Sequence, residues 1–174
     1  MVETQLVPRG ITDPRVLAAM REVPREAFLP VGQVPFAYDD APVPIGHDQT
    51  MSQPFIVALM AQEVELRGPE RVLEIGTGSG YGAAVLARLA AEVYTIERHA
   101  ELAREARRSL ALAGYANVTV IHGDGTLGLS GAAPFQAIVV TASGPSVPAP
   151  LLAQLDVGGR LLIPIEAADG AQSL

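Results

Sequence analysis

From position 71 onward, short runs of valine, isoleucine and leucine alternate with stretches whose apolar residues recur every three or four positions. The short β-branched runs, bounded by turn residues, predict strands, and the longer period predicts helices. Strands are expected at residues 71–75, 92–97, 117–122, 135–141 and 160–165. Helices are expected through Val85, Leu86 and Leu89, over residues 99–113 with charges on one face, and around residues 148–155. Strands apolar on both faces and separated by helices make a parallel sheet covered on both sides, so the fold class is α/β.

The first 68 residues have a different texture, with prolines, polar turns and two helical patterns. Thr12-Asp13-Pro14 opens the first, and Val16, Leu17, Met20 and Val23 follow at helical spacing. Residues 30–50, dense in Pro, Gly and Asp, read as loop. A second helix is expected from Ser52-Gln53-Pro54 through Phe55, Ile56, Leu59, Met60 and Val64 to Arg67, stopped by Gly68-Pro69. The expected organisation is a helical segment over residues 1–68 packed on an α/β core over residues 69–174, one compact domain overall. No internal repeat or low-complexity tract interrupts it.

Composition narrows the chemistry. With 174 residues and 49% hydrophobic content, the chain can bury a core without staples. It has no cysteine, which excludes disulfides, thiolate metal sites and a cysteine nucleophile. All 12 basic residues are arginine, so Schiff-base and P-loop lysine chemistry is excluded as well. A net charge of −7 and the lack of a basic stripe argue against nucleic-acid binding. No apolar run approaches the ~20 residues of a membrane span, and the N-terminus lacks the layout of a signal peptide. A cytoplasmic protein without membrane partners is expected.

The candidate chemistry sits at the ends of the predicted strands. Glu74-Ile75-Gly76-Thr77-Gly78-Ser79-Gly80-Tyr81-Gly82 joins the first core strand to its helix. Glycines there allow close approach to a ligand, and a helix N-terminus offers free N–H groups. Counting from Gly76 the spacing breaks the dinucleotide fingerprint at Tyr81; counting from Gly78 it ends in a tolerated Ala83, so spacing leaves a dinucleotide open. Glu97 ends the next strand, where a carboxylate can accept hydrogen bonds from ribose hydroxyls. Gly123-Asp124-Gly125 follows the third. Each acid has a plainer reading: Glu74 orders the loop, Glu97 ends a strand, and Asp124 caps a turn.

The E-I-G-T-G-S-G-Y form resembles motif I of class I methyltransferases, which implies a Rossmann-like fold and S-adenosylmethionine as cofactor. On that resemblance Glu74, Gly76, Thr77, Gly78, Ser79, Gly80, Glu97, Asp124 and Gly125 are the cofactor-binding candidates, with Asp124 at the adenine amino group. The first region is more specific. Val23-Pro24-Arg25-Glu26-Ala27-Phe28-Leu29-Pro30, and the stretch from Tyr38 through Pro44-Ile45-Gly46-His47-Asp48-Gln49-Thr50-Met51-Ser52-Gln53-Pro54, resemble the protein-L-isoaspartate O-methyltransferase family. The likeness continues through Gly123-Asp124-Gly125, Ile138 to Ala142 and Val157-Gly158-Gly159-Arg160-Leu161.

The resemblance implies methylation of the α-carboxylate of isoaspartyl residues in damaged proteins, whose ester then closes to a succinimide. It makes Ser52 the active-site hydroxyl and places Thr50 and Gln53 beside the substrate; His47 is a further candidate. Where the family pattern most often has a small residue, this chain has Asp48, which either points outward or tempers activity. Locally, Ser52 also reads as a helix N-cap, and His47 as a solvated loop residue. His99 and His122 read as structural. Asp39 and Asp40 have no third ligand at useful spacing, so no metal is expected. The family's sheet ends in an antiparallel hairpin, and the chain stops where that pair would begin, so the hairpin is expected to be missing. The alternatives are a class I methyltransferase for a small molecule or RNA, and a non-catalytic cofactor-binding module.

Overall fold

The computed structural model describes residues 1–142, 146–166 and 172–173. The chain opens with a π-helical turn, Val2–Leu6, and a 3-10 turn, Val7–Arg9, which seat Leu6 in the core. Helix α1 (Pro14–Glu22) starts as its sequence predicts: Asp13 accepts the Arg15 N–H, and proline fills the first turn. Two 3-10 turns follow, at Arg25–Phe28 and Val31–Phe36.

The expected loop over residues 30–50 is only partly a loop. Strands β1 (Val43–Gly46) and β2 (Gln49–Met51) pair antiparallel through a two-residue turn at His47 and Asp48. Val43, Ile45 and Met51 point inward while Pro44 and Gly46 are exposed, which is strand alternation on a very short scale. Both turn residues have positive φ, 53° and 55°. Such turns usually announce themselves as Asn-Gly or Asp-Gly, and this one does not. Helix α2 (Pro54–Glu63) stops four residues before the expected Arg67, because Glu65 takes a φ of +44° and turns the chain.

The core follows the predicted order: β3 (Arg71–Ile75), α3 (Tyr81–Ala87), β4 (Glu92–Glu97), α4 (Ala100–Leu112), β5 (Val118–His122), β6 (Phe135–Val140), α5 (Ala149–Ala153) and β7 (Leu155–Leu162). These strands form one parallel sheet in the order β5-β4-β3-β6-β7. β7 begins earlier than expected because a register shift lets Leu155 pair with Phe135 before Arg160 meets Ala137. Successive residues of β3 face opposite sides. Val72 joins Val93, Val139 and side chains of α1 to α4, and Leu73 joins Ile138, Phe135 and Leu151 of α5. The first cluster also takes in Leu6, Met20 and Met60, so the N-terminal segment and the sheet share one core.

Among the described residues the main sheet ends at β7, and two-residue strands β8 (Ile165–Glu166) and β9 (Gln172–Ser173) pair antiparallel apart from it. Among the described residues, no helix is long and apolar enough to cross a membrane.

Candidate active site

Strand order reverses at β3, since the chain runs outward to β4 and β5 and then returns to place β6 on the other side. A crevice opens at the carboxyl ends of the strands on either side of such a switch point. Here it is a cavity of about 210 Å³ whose wall runs from Asp48 and Thr50 through Ser52 to Glu74, Gly76–Ser79 and Glu97.

The glycine loop is held from below. The Gly76 and Thr77 N–H groups donate to the Ile96 carbonyl at 2.9 and 3.3 Å, and the Thr141 hydroxyl lies 2.7 Å from the Gly76 carbonyl. Gly76 has a φ of +99°, and a Cβ there would collide with Thr141 Oγ1, so only glycine fits. Glu97 receives the Gly78 and His99 N–H groups, one on each carboxylate oxygen, both at 2.9 Å. It thus ties the loop to the start of α4.

Glu74 lies fully buried beneath this loop. The Thr95 hydroxyl donates to Glu74 Oε2 at 2.6 Å, so the Thr77 hydroxyl, 2.6 Å from Thr95 Oγ1, is the donor in that second contact. Burial pushes the Glu74 carboxyl up to about 8; the Thr95 hydrogen bond opposes the shift and the Glu97 charge adds to it. Gly82 packs against Glu74 Oε1 so closely that a Cβ would collide with it. The loop-ordering reading of Glu74 and its place on the cavity wall therefore hold together.

Ser52 sits between β2 and α2. The N-cap position of α2 is Gln53, and no side chain caps the helix. The local N-cap reading of Ser52 is thus wrong: the first turn begins at Pro54, whose missing N–H removes one of the donors a cap would satisfy. Among the described residues the Ser52 hydroxyl has no partner, and Ser52 lines the cavity. The Ser52 carbonyl instead receives a hydrogen bond from Arg25 Nη2 at 3.0 Å.

The cavity gathers Thr50, Ser52, Glu74, Gly76, Thr77, Gly78, Ser79 and Glu97, and Asp48 stands exposed at its rim. Gln53, Gly80, Asp124, Gly125 and His47 do not line it. His47 stacks on His99, with ring centroids 5.6 Å apart, and borders a neighbouring groove. Asp124 Oδ1 receives the Thr126 N–H and hydroxyl, which cap a 3-10 turn and hold its carboxyl below the usual aspartate range. Oδ2 has no partner among the described residues. Asp40 is committed to Arg9 at 2.8 Å. Tyr81, Thr95, Thr141 and Arg25, which sequence reasoning left unassigned, all build the site; Arg25 was visible only as a cation inside an apolar motif.

A hydroxyl without a partner beside a glycine loop, and the acidic Asp48 and Glu97 with no cation among the described lining residues, suit a cationic ligand next to a polar acceptor. A sequence profile of the protein-L-isoaspartate(D-aspartate) O-methyltransferase family matches residues 1–174. The chain belongs to this family. It is 59% identical over all its residues to a protein-L-isoaspartate O-methyltransferase of Pelobacter propionicus and covers 77% of that protein.

Among solved structures, it is similar to a protein-L-isoaspartate O-methyltransferase with a TM-score of 0.87 at 32% identity, covering 99% of this chain and 58% of that one. It is also similar to a Plasmodium falciparum protein, described as a putative member of the same family in complex with S-adenosyl-L-homocysteine, with a TM-score of 0.86 at 27% identity and coverage of 98% and 85%. This protein-L-isoaspartate O-methyltransferase family member thus has the class I methyltransferase fold.

Proposed function

We propose that the protein transfers the methyl group of S-adenosylmethionine to the α-carboxylate of L-isoaspartyl residues in damaged proteins. The observation that carries this reading is Ser52, its hydroxyl uncommitted among the described residues, on the wall of the same cavity as the glycine loop. The cofactor fits the donor set: Asp48 and Glu97 are acidic, no basic side chain lines the cavity among the described residues, and Gly82 leaves room where a side chain would strike Glu74. Glu97, Asp124 and the residue 76–80 loop are the groups that would hold it, with the free Asp124 Oδ2 available to an amino donor. When bound, it supplies an electrophilic methyl on a sulfonium, a good leaving group.

A carboxylate is already ionised at neutral pH, so no strong general base is needed. What the chain must supply is alignment and exclusion of water. Ser52 donates its hydroxyl hydrogen to one carboxylate oxygen and leaves the other free to attack. Thr50, on the adjacent strand, orients the same group, and Gln53 and His47 flank it further out. Ser52 forms no covalent bond in this scheme. The helical segment over residues 1–68 acts as the substrate-bearing part of a single domain, and the residue 69–174 core holds the cofactor.

The test compares a synthetic isoaspartyl peptide with its aspartyl twin, using radiolabelled S-adenosylmethionine. Methylation confined to the isoaspartyl peptide is expected. Equal labelling of both, or labelling of neither, overturns the reading.

A further inference from the structure

Arg25 is fully buried, and it has no carboxylate partner among the described residues. Nε donates to the Ala37 carbonyl at 2.6 Å, Nη2 donates to the Ser52 carbonyl at 3.0 Å, and Nη1 has no partner among the described residues. The guanidinium carbon lies 4.5 Å from the centre of the Tyr81 ring. Ser52 and Tyr81 both line the active-site cavity. Among the described residues, no other arginine side chain donates a hydrogen bond to a lining residue.

A buried guanidinium held by two carbonyls and one ring face is costly, because neither neutralises its charge. Burial lowers its pKa from 12.5, and Tyr81 opposes that shift; arginine nevertheless keeps its proton in proteins. The substrate of the proposed reaction is an anion, and it must enter a cavity whose ionisable lining residues are Asp48, Glu74, Glu97 and Tyr81, with no cation on the wall among the described residues. Arg25 stands one residue behind that wall, on the side of Ser52.

We propose that Arg25 is a positioning residue for the substrate carboxylate, fixing the Ser52 main chain and supplying from behind it a positive charge that none of the described lining side chains supplies. The proposal rests on the carboxyl-methylation reading above. It assigns the two roles to different atoms. The Nη2 hydrogen bond sets where the Ser52 hydroxyl points, and the unpaired charge favours an anion over a neutral group at that hydroxyl.

The test uses Arg25→Met, which keeps length and drops charge, and Arg25→Lys, which keeps charge and loses the fork. Binding of S-adenosylhomocysteine, followed by calorimetry, reports whether each variant is folded with an intact cofactor site. For Arg25→Met the KM for the isoaspartyl peptide is expected to rise at least about tenfold while S-adenosylhomocysteine affinity stays at the wild-type value. Arg25→Lys is expected to recover most of that loss in KM.

An Arg25→Met protein with wild-type KM overturns the proposal, and so does an Arg25→Lys protein as impaired in KM as Arg25→Met. If Arg25→Met does not fold, Arg25→Gln takes its place: the same rise in KM is expected, and an unchanged KM is equally decisive against. A wild-type chain that binds S-adenosylhomocysteine but leaves the isoaspartyl peptide unmethylated removes the reaction, and this proposal with it. Failure of the variants alone leaves the reaction standing.

Discussion

At Ser52 the chain has left β2 and not yet entered α2, so its hydroxyl is spared the capping work that the neighbouring sequence suggests. Removing it should therefore cost little stability and much rate. For Ser52→Ala we expect thermal stability within about 0.5 kcal/mol of wild type and a fall in kcat on the order of a hundredfold, measured by melting and by peptide methylation. A large loss of stability with normal kcat would refute the assignment.

Glu74 makes a second prediction at this scale. Its carboxyl titrates near 8 in the folded protein, against 4.5 for an ordinary glutamate. The folded state thus holds a proton that the unfolded state has lost, so the contribution is favourable at low pH. It should decline as pH rises from about 4.5 through about 8, and Glu74→Gln should flatten that decline. Denaturant melts across this range, with the cofactor left out, read both slopes.

The β1–β2 hairpin is the element that carries Thr50 and aims the chain toward Ser52. Its turn forces Asp48 to a φ of 55°, a conformation tolerated by aspartate and natural to glycine. That explains why a small residue suits this position in the family pattern. Asp48 also stands exposed at the cavity rim. Asp48→Gly is expected to stabilise the protein by up to about 1 kcal/mol and, by removing an anion from the path of a carboxylate, to lower the KM for the peptide. Asp48→Asn separates the effects: it should lower KM with little change in stability.

On one face of the sheet a single apolar cluster runs from Leu6 and Met20 through α2 to Val72 and Val139. The N-terminal segment therefore has no core of its own, and thermal unfolding should follow a single transition in calorimetry. Separate transitions for residues 1–68 and 69–174 would contradict the one-domain organisation. Because the cofactor loop is tied to β3, β4 and β6 together, a ligand bound there should stabilise the entire fold. S-adenosylhomocysteine at a hundred times its Kd is expected to add about 2.7 kcal/mol, visible as a raised Tm. Gly82→Ala, which drives a methyl group into Glu74, should diminish that shift.

Strand and helix order in the core was legible from residue patterns alone, since β3, β4 and β6 are short apolar runs separated by helical stretches and each pattern is local. The glycine loop was legible for the same reason: a turn between strand and helix needs small residues at fixed spacing. The β1–β2 hairpin escaped because its strands are three and four residues long and its turn lacks glycine.

What the sequence left open was settled by contacts between distant segments. Arg25 meets Ser52 across 27 positions, and Thr95 meets Glu74 across 21. Whether a serine caps or stays free, and whether a carboxylate is solvated or buried near pH 8, depends on what folding packs around it. Local patterns determined where the backbone goes. The partners and dielectric surroundings of Ser52, Arg25 and Glu74 came only with the tertiary structure, because desolvation and hydrogen bonding are properties of a place rather than of a residue.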